Sequence, residues 1–303
     1  MEYALQTNAL CKYYHKFKAL NSLTMNIPKG SIYGFVGKNG SGKTTLIRLI
    51  CGLQPVTSGN FTLYGINSSS AGICSARKRI GAVVESPAIY MSMTAEQNIR
   101  EQCRVTGMPS FDSVPQLLDL VGLADTGKKK AKNFSLGMRQ RLGIAVALVG
   151  NPDFLVLDEP VNGLDPQGIV EIRELILKLN RELNITVLIS SHILDELSRL
   201  ATHYGFIDEG HMVKEISAED LEKACRKAIH VEVSDIKALA RALDIINVEY
   251  SVTGENSADI FTKMSTTRLV NAASAENCEV FTMSERDESL ESYFINLMGG
   301  ERK

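Results

Sequence analysis

The sequence predicts an α/β protein built on a largely parallel sheet, followed by a smaller α+β domain. Short apolar runs alternate with helical patterns over the first 215 residues or so. Three of those runs are apolar on both faces, which marks strands buried inside a parallel sheet rather than half-exposed ones. Near residue 216 the alternation gives way to a different order of elements. The chain has 303 residues, 44% hydrophobic and 22% charged, enough apolar material for one large core and a second small one.

The expected strands are "SIYGFVG" (31–37), "RIGAVVE" (79–85), "DFLVLDE" (153–159), "ITVLISS" (185–191) and "THYGFID" (202–208). Helical periodicity lies at 43–51, 135–149, 167–183 and 193–201, and strands alternating with helices argue for βαβ units. Residues 86–134 break the alternation. They contain the helical stretches "MTAEQNIREQCRVTG" and "PQLLDLVGL" and no convincing strand, so they read as a helical subdomain inserted into the α/β core. This first domain is taken as 1–216 and the second as 217–303. The second runs strand (228–233), helix (235–244), two strands about a turn at "GENS", helix (265–276), strand (278–283) and helix (287–298), the split βαβ order of ferredoxin-like domains.

Bulk properties exclude several classes. The net charge of −2 gives no sign of nucleic acid as a partner. The six cysteines form no C-x-x-C pair, which argues against a zinc site or disulfide framework and suits a reducing compartment. The first residues lack the apolar centre of a signal peptide, and no run of 18 apolar residues offers a membrane span.

The chemistry is concentrated in a few short stretches. "GKNGSGKTT" (Gly37, Lys38, Asn39, Gly40, Ser41, Gly42, Lys43, Thr44, Thr45) follows a strand and opens a helix, and it fills every fixed position of G-x-x-x-x-G-K-[ST]. Its glycines let the backbone close around a phosphate, and the helix start presents free amides to negative charge. Lys43 can neutralise β- and γ-phosphate oxygens, and Thr44 can offer its hydroxyl to Mg²⁺. "FLVLDEP" ends an apolar strand on Asp158 and Glu159, which face opposite ways and so can divide the work of holding Mg²⁺ and orienting a water. His192 in "SSH" ends another buried strand, at the sheet edge where open α/β sheets bind ligands. In "FSLGMRQRLGIA", Ser135 begins a helix whose start also carries Arg139 and Arg141, an arrangement that favours an anion.

Taken with "NGLDP" (162–166), these motifs resemble, in order and spacing, the nucleotide-binding subunit of ATP-binding cassette (ABC) transporters, over residues 1 to about 220. The resemblance implies a P-loop ATPase with ATP and Mg²⁺ bound by the phosphate loop and by Thr44, Asp158 and Glu85, with Glu159 and His192 catalytic. It also implies two copies paired head to tail. Ser135, Leu136, Gly137 and Met138 would then meet the γ-phosphate held by the other copy, and Asp165 would lie at the seam. Tyr14, or its neighbour Tyr13, would stack on adenine. The chain would sit on the inner face of the membrane beneath a separate permease.

Three positions depart from the family pattern: Leu136 replaces a glycine, Met138 a glutamine, and Glu85 a glutamine. "RIGAVVESPAIY" and the S-L-G-M signature are similar to the branch that exports bacitracin and lantibiotics. Two alternatives stay open from sequence: a soluble ABC-type ATPase, and an ATP-dependent switch not tied to transport.

Overall fold

The computed structural model describes residues 2–225, 228–262 and 264–286, together with Tyr293 and Leu297. The chain divides into two compact units that part between Ala218 and Glu219.

The first unit opens with a long antiparallel pair, β1 (Tyr3–Tyr14) and β2 (Phe17–Pro28). Then come β3 (Ile32–Val36), α1 (Lys43–Ile50), β4 (Ser58–Leu63), β5 (Ile66–Asn67), α2 (Ile73–Arg77) and β6 (Ile80–Val83). Two helices follow where no strand is expected, α3 (Ala95–Thr106) and α4 (Val114–Leu120), and then α5 (Leu136–Ala147). The unit ends with β7 (Phe154–Asp158), α6 (Pro166–Leu183), β8 (Thr186–Ser191), α7 (Leu194–Ser198), β9 (His203–Asp208) and β10 (His211–Ser217).

The main sheet has the order β10-β9-β3-β8-β7-β6, parallel throughout except for β10 at its edge. Every residue of β3, β7 and β8 is buried, which is why these runs are apolar on both faces. A second, antiparallel sheet has the order β2-β1-β4-β5. Leu5, Leu23 and Ile27 from that sheet, Leu46 and Ile50 from α1, and Phe35, Val156 and Leu188 from the main sheet share one core.

The antiparallel sheet is the main element absent from the expectations. Its period-2 signal is broken by irregular register: β1 slips against β2 between Thr7 and Leu10, and Ala9 and Ser22 take left-handed φ values of 45° and 55°. Each slip turns the side chains to the opposite face, so apolar residues fall in adjacent pairs instead of alternating.

Among the helices, α3 starts on a capping box. The Gln97 amide donates to Thr94 Oγ1 (3.2 Å) and the Thr94 amide to Gln97 Oε1 (3.0 Å). The expected helix at 193–201 contracts to Leu194–Ser198, with Leu200 and Ala201 turning back on the Leu197 carbonyl.

A surface triad ties the antiparallel sheet to the start of β7. Asp153 accepts from Arg79 Nε (3.0 Å) and from the Tyr64 hydroxyl (2.5 Å), while the Arg79 guanidinium lies over the Tyr64 ring, 3.5 Å from its centroid. Burial disfavours the Asp153 carboxylate, but the hydrogen bonds from Arg79 and Tyr64 outweigh it and hold the carboxyl below the usual range. A depressed carboxyl stabilises the fold above its unfolded pKa of about 3.9, and that contribution is lost as pH falls through the lower folded value. Asp153→Asn is therefore expected to lower the thermal midpoint at pH 7, with the gap to wild type closing below about pH 4. A gap that stayed constant down to acid pH would remove the charge from the explanation.

After α8 (Ala218–Ala224), the second unit comprises β11 (Ala228–Val233), α9 (Ile236–Ile245), β12 (Tyr250–Val252), β13 (Ser257–Ile260), α10 (Thr266–Ala275) and β14 (Val280–Arg286). Its sheet order β12-β13-β11-β14 is antiparallel, the split βαβ arrangement read from the sequence. Val231, Val233, Ala258 and Ile260 pack against Leu239 and Leu269 of the two helices. The strand expected at 247–254 is confined to Tyr250–Val252. Asn247 takes a left-handed φ of 52°, and Val248 folds back to the Leu243 carbonyl. The helix expected at 287–298 lies outside the described residues, apart from Tyr293 and Leu297.

Candidate active site

Because β8 lies between β3 and β7, the carboxyl ends of these three strands sit side by side. The segments leaving them carry the phosphate loop, the Asp158–Glu159 pair and His192. Backbone bonds lock the junction: the Gly37 amide donates to the Ser191 carbonyl (3.3 Å), and the Glu159 amide donates to the Ser190 carbonyl (3.2 Å).

The phosphate loop runs over residues 37–45. Lys38, Asn39 and Gly40 are exposed at its crest, while Ser41 and Lys43 are buried. Gly40 and Gly42 take φ values of 82° and 111°, which few other residues adopt without strain. At Gly37 and Gly42 the crowding comes from the chain itself rather than from a ligand. A Cβ would lie 2.4 Å from the Ile207 carbonyl oxygen at Gly37 and 2.5 Å from that of Ala19 at Gly42. Helix α1 begins without a side-chain cap and has no acidic residue in its first turn, so its leading amides are left for an anion. The Lys43 ammonium donates to the carbonyls of Gly37 (2.7 Å) and Lys38 (3.2 Å) and lies 3.3 Å from Glu159 Oε1. Thr44 and Thr45, in the first turn, are half-buried.

Asp158 is buried at the end of β7, and its Oδ1 accepts from the Ser190 hydroxyl at 2.6 Å. The same hydroxyl accepts from the Glu159 amide (2.9 Å). Glu159 itself takes φ 49°, and this left-handed turn costs about 1 kcal/mol or more in a non-glycine residue. The turn sends its carboxylate to Lys43 on one side and to His192 Nδ1, at 2.8 Å, on the other. Ser190 and Ser191, which support both carboxylates and the loop, lie in the "SSH" motif, where the sequence alone signals only His192.

Glu85 also takes a left-handed turn, with φ 61°. Its carboxylate, which the resemblance assigns to magnesium, instead pairs with Arg48 on α1. Arg48 carried no sequence signal beyond its place near the end of the helix. The Tyr14 hydroxyl donates to Gln54 in the loop after α1, and the Lys12 ammonium lies 5.2 Å from the Tyr14 ring. Tyr13 sits beside Lys18, whose ammonium is 5.6 Å from that ring.

At the start of α5, Ser135 is the N-cap, and its hydroxyl accepts from the Met138 amide at 3.2 Å. The serine thus serves its own helix. Leu136 is exposed, and a Cβ on Gly137 would find nothing closer than 3.9 Å, so the first turn is open to approach. Arg141 does not add to an anion site there. It donates to the carbonyls of Val121 (2.9 Å) and Gly122 (3.1 Å) and pairs with Glu171 of α6 (3.3 Å). Asp165 caps α6 by accepting from the Gly168 amide (3.1 Å) and is exposed.

The donors suit Mg²⁺ shared with phosphates. Thr44 and Asp158 supply hard oxygens, and among the described residues no three His, Cys, Asp or Glu side chains gather into a self-sufficient metal cage. Mg²⁺ commonly takes one or two protein oxygens and completes its shell with phosphate and water.

Known proteins show the family and share the fold. The family model for ABC transporters matches residues 20–162. The bacitracin transport ATP-binding protein BcrA of Bacillus licheniformis is 39% identical over 307 aligned positions, covering 99% of both chains. The lantibiotic transport ATP-binding protein SrtF of Streptococcus pyogenes is 41% identical, matching 75% of this chain and 98% of that one. Among solved structures, the ATP-binding cassette MJ0796, in a dimeric post-hydrolysis state bound to ADP and Pi, shares the fold. Its TM-score is 0.64 at 23% identity, covering 71% of this chain and 98% of that one. A phosphate loop, a carboxylate pair and a histidine converging at one sheet edge, in a chain matched from end to end by a transport ATP-binding protein, place it by descent as well as by geometry: it belongs to the ATP-binding proteins of ABC transporters.

Proposed function

We propose that the chain hydrolyses ATP to drive a separate membrane permease, that it acts as a head-to-tail dimer, and that the cargo is a peptide antibiotic of the bacitracin type. The observation that carries the hydrolytic part is the convergence of Lys43, Glu159 and His192, with 3.3 Å and 2.8 Å contacts to one carboxylate.

In this scheme the amides of residues 37–45 and the Lys43 ammonium cradle the phosphates, and Tyr14 stacks on adenine. Mg²⁺, held by Thr44 and Asp158 together with the phosphates, would offset the charge that develops on the transferred group. Glu159 accepts a proton from, and aims, the attacking water, and His192 fixes the carboxylate and reaches toward the γ-phosphate. Residues 135–138 of the second copy close over that phosphate, with Asp165 at the seam. The exposed first turn of α5 supports this assignment, as does the dimeric state of the MJ0796 cassette.

The peptide-antibiotic reading rests on end-to-end similarity to BcrA, whereas SrtF matches only three quarters of the chain. Permease docking is supported by an apolar groove of about 400 Å³ beside Glu85, lined by Leu53, Ile80, Val84 and Ala88. Exposed Tyr90 and Met91 follow shortly after it in the chain. Among the described residues no helix is long and apolar enough to cross a membrane.

Glu85 and Arg48 are the proposed link between the nucleotide and the permease. The pair joins the phosphate-loop helix to the segment that leads into α3. The test is co-purification with a polytopic membrane protein, followed by turnover measured with and without that protein. Glu85→Gln and Arg48→Gln are expected to leave nucleotide affinity within about threefold and to change permease-stimulated turnover several-fold, because an exposed ion pair contributes little to stability but can bias a two-state hinge. Glu85→Ala should act more strongly. Unchanged stimulation in all three variants would make Glu85 a bystander and weaken the antibiotic-export reading.

A further inference from the structure

We infer that Glu196 is a positioning residue for His192, acting through the Ser191 hydroxyl to fix the turn that aims the imidazole at Glu159. The inference rests on the ATPase reading above. Ser191 is 1% exposed at the end of β8. Its hydroxyl oxygen lies 2.9 Å from Glu196 Oε2, 3.0 Å from the Ile193 amide nitrogen and 3.1 Å from the Ile193 carbonyl oxygen.

A hydroxyl has one proton to give. The carboxylate is the stronger acceptor, so the proton goes to Glu196 and the lone pairs take the Ile193 amide. The residues on both sides of His192 are thereby tied to one oxygen atom. The Ser191 carbonyl also receives the Gly37 amide, so the histidine turn is pinned to the phosphate loop as well (3.3 Å).

The surroundings of Glu196 single it out. It is half-buried, and among the described residues its carboxylate forms no ion pair. Arg173 of α6, Asp195 of α7 and Arg199 just after it line the same cleft, and the charges of His192 and Glu159 act on the Glu196 carboxyl. Burial pushes its carboxyl pKa up, opposed by the Ser191 hydrogen bond and the His192 charge and reinforced by Glu159. An acid near the start of α7 would be welcome for the helix dipole alone if it pointed to solvent. This one turns inward to a buried hydroxyl, which the dipole does not require.

The experiment compares steady-state ATP hydrolysis, ATP affinity and melting in Glu196→Ala, Glu196→Gln, Ser191→Ala and the Glu196→Ala/Ser191→Ala double variant. Glutamine keeps an acceptor for Ser191, so it should retain kcat within about threefold. Alanine should lower kcat roughly ten- to hundredfold while ATP affinity stays within about twofold, as expected for a misaimed catalytic group. Ser191→Ala should match it, and the double variant should be no worse than either single change. The His192 imidazole resonances should shift in Glu196→Ala and stay in place in Glu196→Gln. Wild-type kcat in Glu196→Ala, equal losses in the alanine and glutamine variants, or additive losses in the double variant would overturn the proposal. Wild-type turnover with an inactive Glu159→Gln control keeps the ATPase reading intact in each case, and an inactive wild-type chain would reject that reading instead.

Discussion

Glu159→Gln is expected to bind ATP with affinity within a few-fold of wild type and to lose turnover by about a hundredfold or more. The amide is nearly isosteric and keeps a hydrogen-bonding oxygen for His192 Nδ1, now 2.8 Å from the carboxylate. It also leaves the Ser190 contacts that shape the left-handed backbone turn, since these involve the Glu159 amide rather than its side chain. What it removes is the negative charge beside Lys43 and the basicity that a general base needs. Binding should hold or tighten, because a carboxylate near the phosphates is lost. Nucleotide titration and single-turnover hydrolysis on the same preparation decide the matter, and wild-type hydrolysis in this variant would reject Glu159 as the base.

The second large effect comes from mixing two inactive chains. Ser135→Arg blocks the exposed first turn of α5, and Lys43→Ala removes the ammonium that the loop carbonyls hold in place. Each homodimer then has two defective sites. A mixed dimer has one site with both defects and one with neither. If the sites are composite, equal mixing gives about half mixed dimers, each with one intact site, and restores about a quarter of wild-type turnover. Full activity in either variant alone, or no recovery on mixing, would refute a site shared between two copies.

Legibility followed the physics of each element. The buried parallel strands were plain because continuous burial writes a continuous apolar run, and β3, β7 and β8 are buried at every position. The phosphate loop was plain because its glycines and lysine meet steric and charge demands that few other residues satisfy. The antiparallel sheet stayed hidden because bulges at Ala9 and Ser22 scramble alternation, and a single sequence does not show where a register slips. In the candidate site, the titratable residues carry a signal in the sequence, but their supports do not. Ser190 and Ser191 look like any strand-end serines until the fold sets their hydroxyls against Asp158 and Glu196. Arg48 reads as an ordinary helix residue, because its partner Glu85 lies 37 positions away.

The position of β8 between β3 and β7 has a consequence for how the chain is made. Those two strands are more than a hundred residues apart in sequence, and the strand that joins them emerges after both. Until residues 186–191 have left the ribosome, β3 and β7 each carry an unpaired edge of buried-type apolar residues, the template for edge-to-edge association. Such late, non-local closure is slow and exposes sticky intermediates. The same insertion brings Ser190 and Ser191 to the carboxylates and the phosphate loop, so joining β3 to β7 and assembling the supports of the candidate site are one event. Nascent chains lacking β8 can hold the phosphate-loop sequence without the framework that shapes it, and capacity to bind nucleotide becomes a late marker of synthesis.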